Sequence, residues 1–161
     1  MEFSYKKDID QSCCFTGHRV IRPADGDIEG RLCCEIETLV NSKGVTSFWA
    51  GGALGFDTVA ALCVISLKGK YPFIKLNLAL PCKTQAAKWS DGERAMYNSI
   101  LEKADSVHYI GDEYVSGCMH KRNDFMVDHS KYCICYLRRE TGGTHYTVTR
   151  AKHQGRELIE L

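Results

Sequence analysis

Three short segments combine glycines with residues able to hold an anion. They are Thr16-Gly17-His18-Arg19, Gly51-Gly52-Ala53-Leu54-Gly55-Phe56-Asp57 and Thr141-Gly142-Gly143-Thr144. Glycine lets backbone N–H groups approach a ligand closely, and a following helix N-terminus adds unpaired donors and partial positive charge, the arrangement that suits phosphate. Arg19 and, further on, Arg122 carry planar guanidinium groups suited to forked phosphate contacts; a surface ion pair is the other use of each. His18 can donate to a phosphate or ribose, or bond its own turn. Asp57 and Asp128 can accept from ligand hydroxyls, while Asp57 also fits a helix cap. Thr144 suits a cap and a phosphate donor together. Any one glycine loop can be a plain strand-to-helix turn; it is the three together that imply a phosphorylated or nucleotide-like ligand.

Other chemistries find less support. Phe56-Asp57 follows Gly55 where a Walker loop needs Lys-Ser or Lys-Thr, and the region 20 residues past Gly55 offers Lys75 and Asn77 rather than the acid of a dinucleotide site. Ser12, Ser90 and Thr144 lack a nucleophile elbow. His120, His129 and His145 form no triad-like set and read as structural or exposed. Gln85 to Trp89, after Pro81, reads as a flap in which Trp89 either stacks on a base or joins the core. No C-x-x-C occurs, so no metal is expected. No cofactor is expected either.

The loops need elements to hold them. Apolar runs at Ser12–Thr16, Val45–Ala50, Ile74–Leu80, Ser106–Ile110 and Tyr132–Leu137 have strand length, and several are continuous in the way of parallel strands covered on both faces. Between them, Ile28, Leu32, Ile36, Leu39 and Val40 share a helix face that Asp25 or Asp27 can cap and Gly44 can end. Further helices are expected over Asp57–Lys68, around Tyr97, Ile100, Leu101 and Ala104, over Met119–Ser130 and over Thr144–Gln154, with Glu157–Leu161 as an edge strand. The pattern implies a Rossmann-like, doubly wound α/β fold: a mainly parallel sheet of five or six strands with helices on both faces. Ligands of such sheets sit beyond the carboxyl ends of the strands.

The chain has 161 residues, the size of one domain, and residues 1–11 read as a loosely ordered extension. With 44% hydrophobic and 25% charged residues it is globular, and a net charge of +1 weighs against a polyanion partner. No apolar run spans a bilayer and no signal segment opens the chain, so a cytosolic protein without a membrane partner is expected. Its nine cysteines sit in apolar settings and read as small buried hydrophobes. A homo-oligomer pairing through helix faces is compatible with such an architecture.

Taken in order, Cys13-Cys14-Phe15-Thr16-Gly17-His18-Arg19, Gly51 to Asp57, Asn123-Asp124-Phe125-Met126-Val127-Asp128 and Gly142-Gly143-Thr144 resemble the YpsA-type proteins of the SLOG superfamily, over about residues 12–155. The resemblance implies a Rossmann-like fold and a pocket for a nucleotide-derived ligand, with Thr16, Gly17, His18, Arg19, Gly51, Gly52, Ala53, Gly55, Asp57, Arg122, Asn123, Asp128, Gly142, Gly143 and Thr144 as candidate ligand residues. The superfamily includes DNA-processing protein A, which binds single-stranded DNA, and the LOG enzymes, which release a base from a nucleoside 5′-monophosphate. Met119-His120-Lys121-Arg122 is similar to the LOG M-H-E-R segment, which makes Arg122 the one catalytic candidate. The LOG glutamate position is Thr147 here, and a hydroxyl neither stabilises positive charge on ribose nor activates water well. The reading is therefore a non-catalytic or weakly catalytic binder of a phosphorylated small molecule. A LOG-like phosphoribohydrolase and a single-stranded nucleic-acid binder are the alternatives.

Overall fold

The computed structural model describes residues 8–161. Six strands form one sheet: β1 (Ser12–Gly17), β2 (Ser47–Ala50), β3 (Lys75–Leu80), β4 (Ser106–Tyr109), β5 (Tyr132–Tyr136) and β6 (Glu157–Glu160). They are connected by α1 (Ile28–Lys43), α2 (Phe56–Leu67), α3 (Asp91–Lys103), α4 (Cys118–Asp128) and α5 (Gly143–His153). All adjacent strands pair in parallel, in the order β4-β3-β2-β1-β5-β6. The chain thus steps outward from β1 to β4 and then returns to lay β5 against the other side of β1. That reversal opens a crevice beyond the carboxyl ends of β1 and β5.

Strand β1 alternates between two cores, as its pleat requires. Cys13 and Phe15 point into the larger cluster with Leu32, Ile36, Phe48 and Phe56 on the side of α1 and α2, whereas Cys14 joins Met126, Val127, Val148 and Ala151 beneath α4 and α5. The five predicted α1 residues are all buried, Asp27 accepts from the Gly30 N–H at 2.9 Å, and Gly44 ends the helix with a left-handed φ of 68°. Asp25 is not the cap. Its carboxylate binds Arg22, Arg138 (3.1 Å) and the Tyr136 hydroxyl, which hold its pKa well below the usual carboxylate range, Arg22 most of all. The outer strands β4 and β6 are only half covered, unlike the central β5, which is buried throughout.

The expected extension over 1–11 lies partly outside the described residues. Within them Asp8–Asp10 are helical, and the carbonyls of Ile9 and Gln11 accept from Lys131, Thr46 and Ser47. Among the described residues no helix is long and apolar enough to cross a membrane.

Candidate functional site

At the crevice a cavity of about 330 Å³ is lined from four directions. The end of β1 supplies Gly17, His18 and Arg19; the β2–α2 loop supplies Ala53 and Asp57; the first turns of α4 supply Met119, His120, Arg122 and Asn123; the β5–α5 loop supplies Arg139, Gly143 and Thr144.

His18 ties these loops together. Its carbonyl accepts from the Phe56 N–H at 3.1 Å, and its Nε2 lies 2.8 Å from the Arg138 N–H, which donates to it. The bond assigns Nε2 as the unprotonated nitrogen. Burial, followed by the charges of Arg139, Arg138 and Arg22, pulls the pKa of His18 down from 6.5 and keeps the ring neutral near pH 7. Its ring meets Tyr136 edge-on at 5.8 Å.

Gly51 sits between two buried charges. A Cβ there would lie 2.6 Å from Nη1 of Arg122 and 2.8 Å from Oδ2 of Asp57. Arg122, 5% exposed, donates from Nη1 to the Gly51 carbonyl, from Nε to Oδ1 of Asn123 (2.8 Å) and from Nη2 to the Met119 sulfur (3.5 Å). Asp57 accepts from the Ala53 N–H at 3.3 Å and so braces the glycine loop, not the helix end that it was expected to cap. Burial raises the Asp57 pKa against the pull of Arg122, the Ala53 N–H and Arg19, and burial lowers that of Arg122 against Asp57. Gly55 adopts φ of 77° with its α-carbon pressed on the Arg19 carbonyl, so that a Cβ would meet that oxygen at 2.0 Å.

Not every expected residue reaches the cavity. Thr16 is buried within β1, opposite Cys135. Gly51 lies behind Arg122, Gly52 and Gly55 face a separate apolar cleft of about 390 Å³, and Gly142 opens toward the exposed side of α5. Asp128 stands at the far end of α4, where Arg150 donates to its carboxylate at 2.9 Å. The Gln85–Trp89 segment covers the Gly52 loop: Gln85 donates to the Gly52 carbonyl at 3.3 Å, and Trp89 packs edge-on against Tyr97 (5.4 Å) in the apolar cleft. Trp89 therefore sits beside the core and away from the cavity lined by the three arginines.

Arg139 was absent from the sequence expectations. The signal was the Arg138-Arg139 pair immediately ahead of the last glycine loop. Arg138 is spent on Asp25, the Leu161 carbonyl (2.8 Å) and the face of Tyr136 (4.4 Å), leaving Arg139 exposed at the cavity. The lining thus holds three guanidinium groups and one carboxylate, Asp57. Thr147, one turn into α5, is fully buried and donates to the Gly143 carbonyl at 2.8 Å, away from the lining. Among the described residues no group of three or more His, Cys, Asp or Glu side chains is placed to hold a metal.

Comparison with known proteins adds a lineage to this geometry. A sequence model of the YspA SLOG family matches residues 28–158. The uncharacterized SPbeta prophage-derived protein YoqJ of Bacillus subtilis is 31% identical over 148 residues, 83% of this chain and 86% of that protein. A UPF0398 protein of Staphylococcus epidermidis is 36% identical over 87 residues, 52% of this chain and only 45% of its own length. Among solved structures, DNA processing protein A from Streptococcus pneumoniae superposes with a TM-score of 0.67 at 17% identity, over 92% of this chain and 49% of that one. A structure of DNA processing protein A from Helicobacter pylori, described for its single-stranded DNA binding mode, gives 0.65 at 16% identity over 95% of this chain and 66% of that one. At such identities the likeness is one of fold.

Proposed function

Starting from the YspA SLOG family, to which this chain belongs, we propose that the protein binds a phosphorylated, nucleotide-derived small molecule in the cavity beyond β1 and β5. The observation that carries the reading is the charge of the lining: Arg19, Arg122 and Arg139 against Asp57, around the start of α5. A phosphate would lie against Gly143 and Thr144, where the first N–H groups of α5 point outward, with Arg19 and Arg139 free to fork onto its oxygens. Arg122 is largely occupied by protein acceptors, so it contributes field and rigidity more than direct contacts.

The same geometry favours holding over cleaving. A LOG-like hydrolase needs a carboxylate at the position of Thr147, whose hydroxyl is buried and already bonded. Thermal-shift and calorimetric titration over nucleoside phosphates, ADP-ribose-like compounds and sugar phosphates should find a ligand. Arg139→Ala should then weaken its binding by about tenfold or more, the value of a lost charge-assisted contact. A panel without a binder, or a binder indifferent to Arg139→Ala, overturns the reading. Release of free adenine from adenosine monophosphate would favour the hydrolase instead.

The fold shared with a single-stranded DNA binder supports one further reading. It requires a labelled oligonucleotide to bind with affinity that falls steeply as salt rises. The net charge of +1 leaves any such interaction to the local guanidinium cluster.

A further inference from the structure

On the face of the sheet opposite α4 and α5, helices α1 and α2 bring two thiols together. The sulfurs of Cys33 and Cys63 are 2.9 Å apart, and neither is engaged in a disulfide. Cys33 is partly exposed, whereas Cys63 is 2% exposed with its sulfur 3.8 Å from the Glu29 carbonyl. The two residues stand 30 positions apart in sequence, on helices whose positions are fixed by a shared core. A disulfide needs its sulfurs about 2.05 Å apart, so the two atoms have less than about 1 Å to close.

We propose that Cys33 and Cys63 form an oxidative modification site, in which hydrogen peroxide converts the pair into a disulfide that staples α1 to α2. The thiolate of Cys33, the more exposed member, attacks the peroxide oxygen; the O–O bond breaks, Cys33 becomes a sulfenic acid and one hydroxide leaves to be protonated as water. The Cys63 sulfur then attacks the sulfur of Cys33, losing its proton as the S–O bond breaks and a second water departs. The two thiols give up two electrons and two hydrogens, and the peroxide is reduced to water. Burial and the neighbouring Cys33 sulfur push the Cys63 thiol pKa far up, which makes it the resolving partner and leaves first attack to Cys33. Six positions before Cys63, and about 9 Å along α2, stands Asp57. A staple at Cys63 therefore anchors the helix that braces the glycine loop.

The experiment treats the folded protein with hydrogen peroxide, blocks remaining thiols with an alkylating agent and maps peptides without reduction. The expected product is a peptide pair joined through Cys33 and Cys63, short of two hydrogens, that dithiothreitol separates. The oxidised protein should also unfold at a higher temperature than the reduced one, because the bridge closes a loop in the unfolded chain. Cys33→Ser, a change at a partly exposed position that leaves the fold readable by circular dichroism, should abolish both the linked peptides and the shift in melting. Recovery of Cys33 only as an alkylated thiol or a sulfinic acid, or joined to exposed Cys34 or any other cysteine, overturns the proposal. So does a melting shift that survives in Cys33→Ser. The test does not involve the anion cavity, and its outcome is independent of the ligand reading.

Discussion

His18 joins two loops to its own through one backbone oxygen and one ring nitrogen, and the ring bond exists only while Nε2 lacks a proton. Its pKa is depressed in the folded state, chiefly by burial and then by Arg139, Arg138 and Arg22. The unfolded chain therefore takes up this proton first as pH falls through 6.5, and the folded chain only lower down. The contribution to stability is complete above 6.5 and declines as pH drops from there toward the folded value. Urea midpoints measured at about pH 7.5 and about pH 5.5 should show the wild type losing stability on acidification, and His18→Gln, which keeps an acceptor but no titration, losing less. Equal losses would mean that the ring bond is not what titrates. Residues of this kind are only half legible in a sequence. Position after β1 marks His18 as a turn residue of consequence, but its acceptor role depends on Arg138, a partner 120 positions away. Asp128 shows the converse. Its spacing from Arg122 places it on α4, yet the helix carries it to the opposite end from the cavity, onto Arg150.

Elements were more legible than contacts because they are set by local chemistry. Continuous apolar runs became the buried central strands, and the five apolar α1 positions became one buried face. Where boundaries moved, capping explains the change. Helix α3 begins at Asp91, well ahead of its first buried residue, Tyr97, because Ser90 and Glu93 form a reciprocal capping box: the Glu93 N–H donates to Ser90 Oγ at 3.2 Å and the Ser90 N–H to Glu93 Oε1 at 3.0 Å. The box lowers the pKa of the Glu93 carboxyl through the Ser90 backbone donor. Ser90→Ala should cost about 1 kcal/mol in denaturant unfolding, and an unchanged midpoint would mean that packing of Tyr97 and Ile100 alone sets the start of the helix.

At the scale of the molecule, the cavity is where the two faces of the sheet are tied to each other. Arg122 comes from α4 on one side and Asp57 from α2 on the other, and they meet around Gly51 at the end of β2. Gly51→Ala inserts a methyl group into that junction and should destabilise the fold by about 1–3 kcal/mol, measured by urea unfolding. A variant as stable as the wild type would show that the guanidinium has room to retreat. The strand order that creates this junction was the least legible feature: alternating strands and helices imply a parallel sheet, but nothing local says that β5 returns to lie beside β1. That return also bears on biosynthesis. Cys13 leaves the ribosome well before Tyr132, its neighbour in the finished sheet, and must await it before the central pairing can close. Strands β1 to β4 can assemble during translation with one edge of β1 bare. The cavity can be complete only once β5 and the start of α5 have followed the first four strands, so a growing chain carries an unpaired strand edge before it carries the pocket.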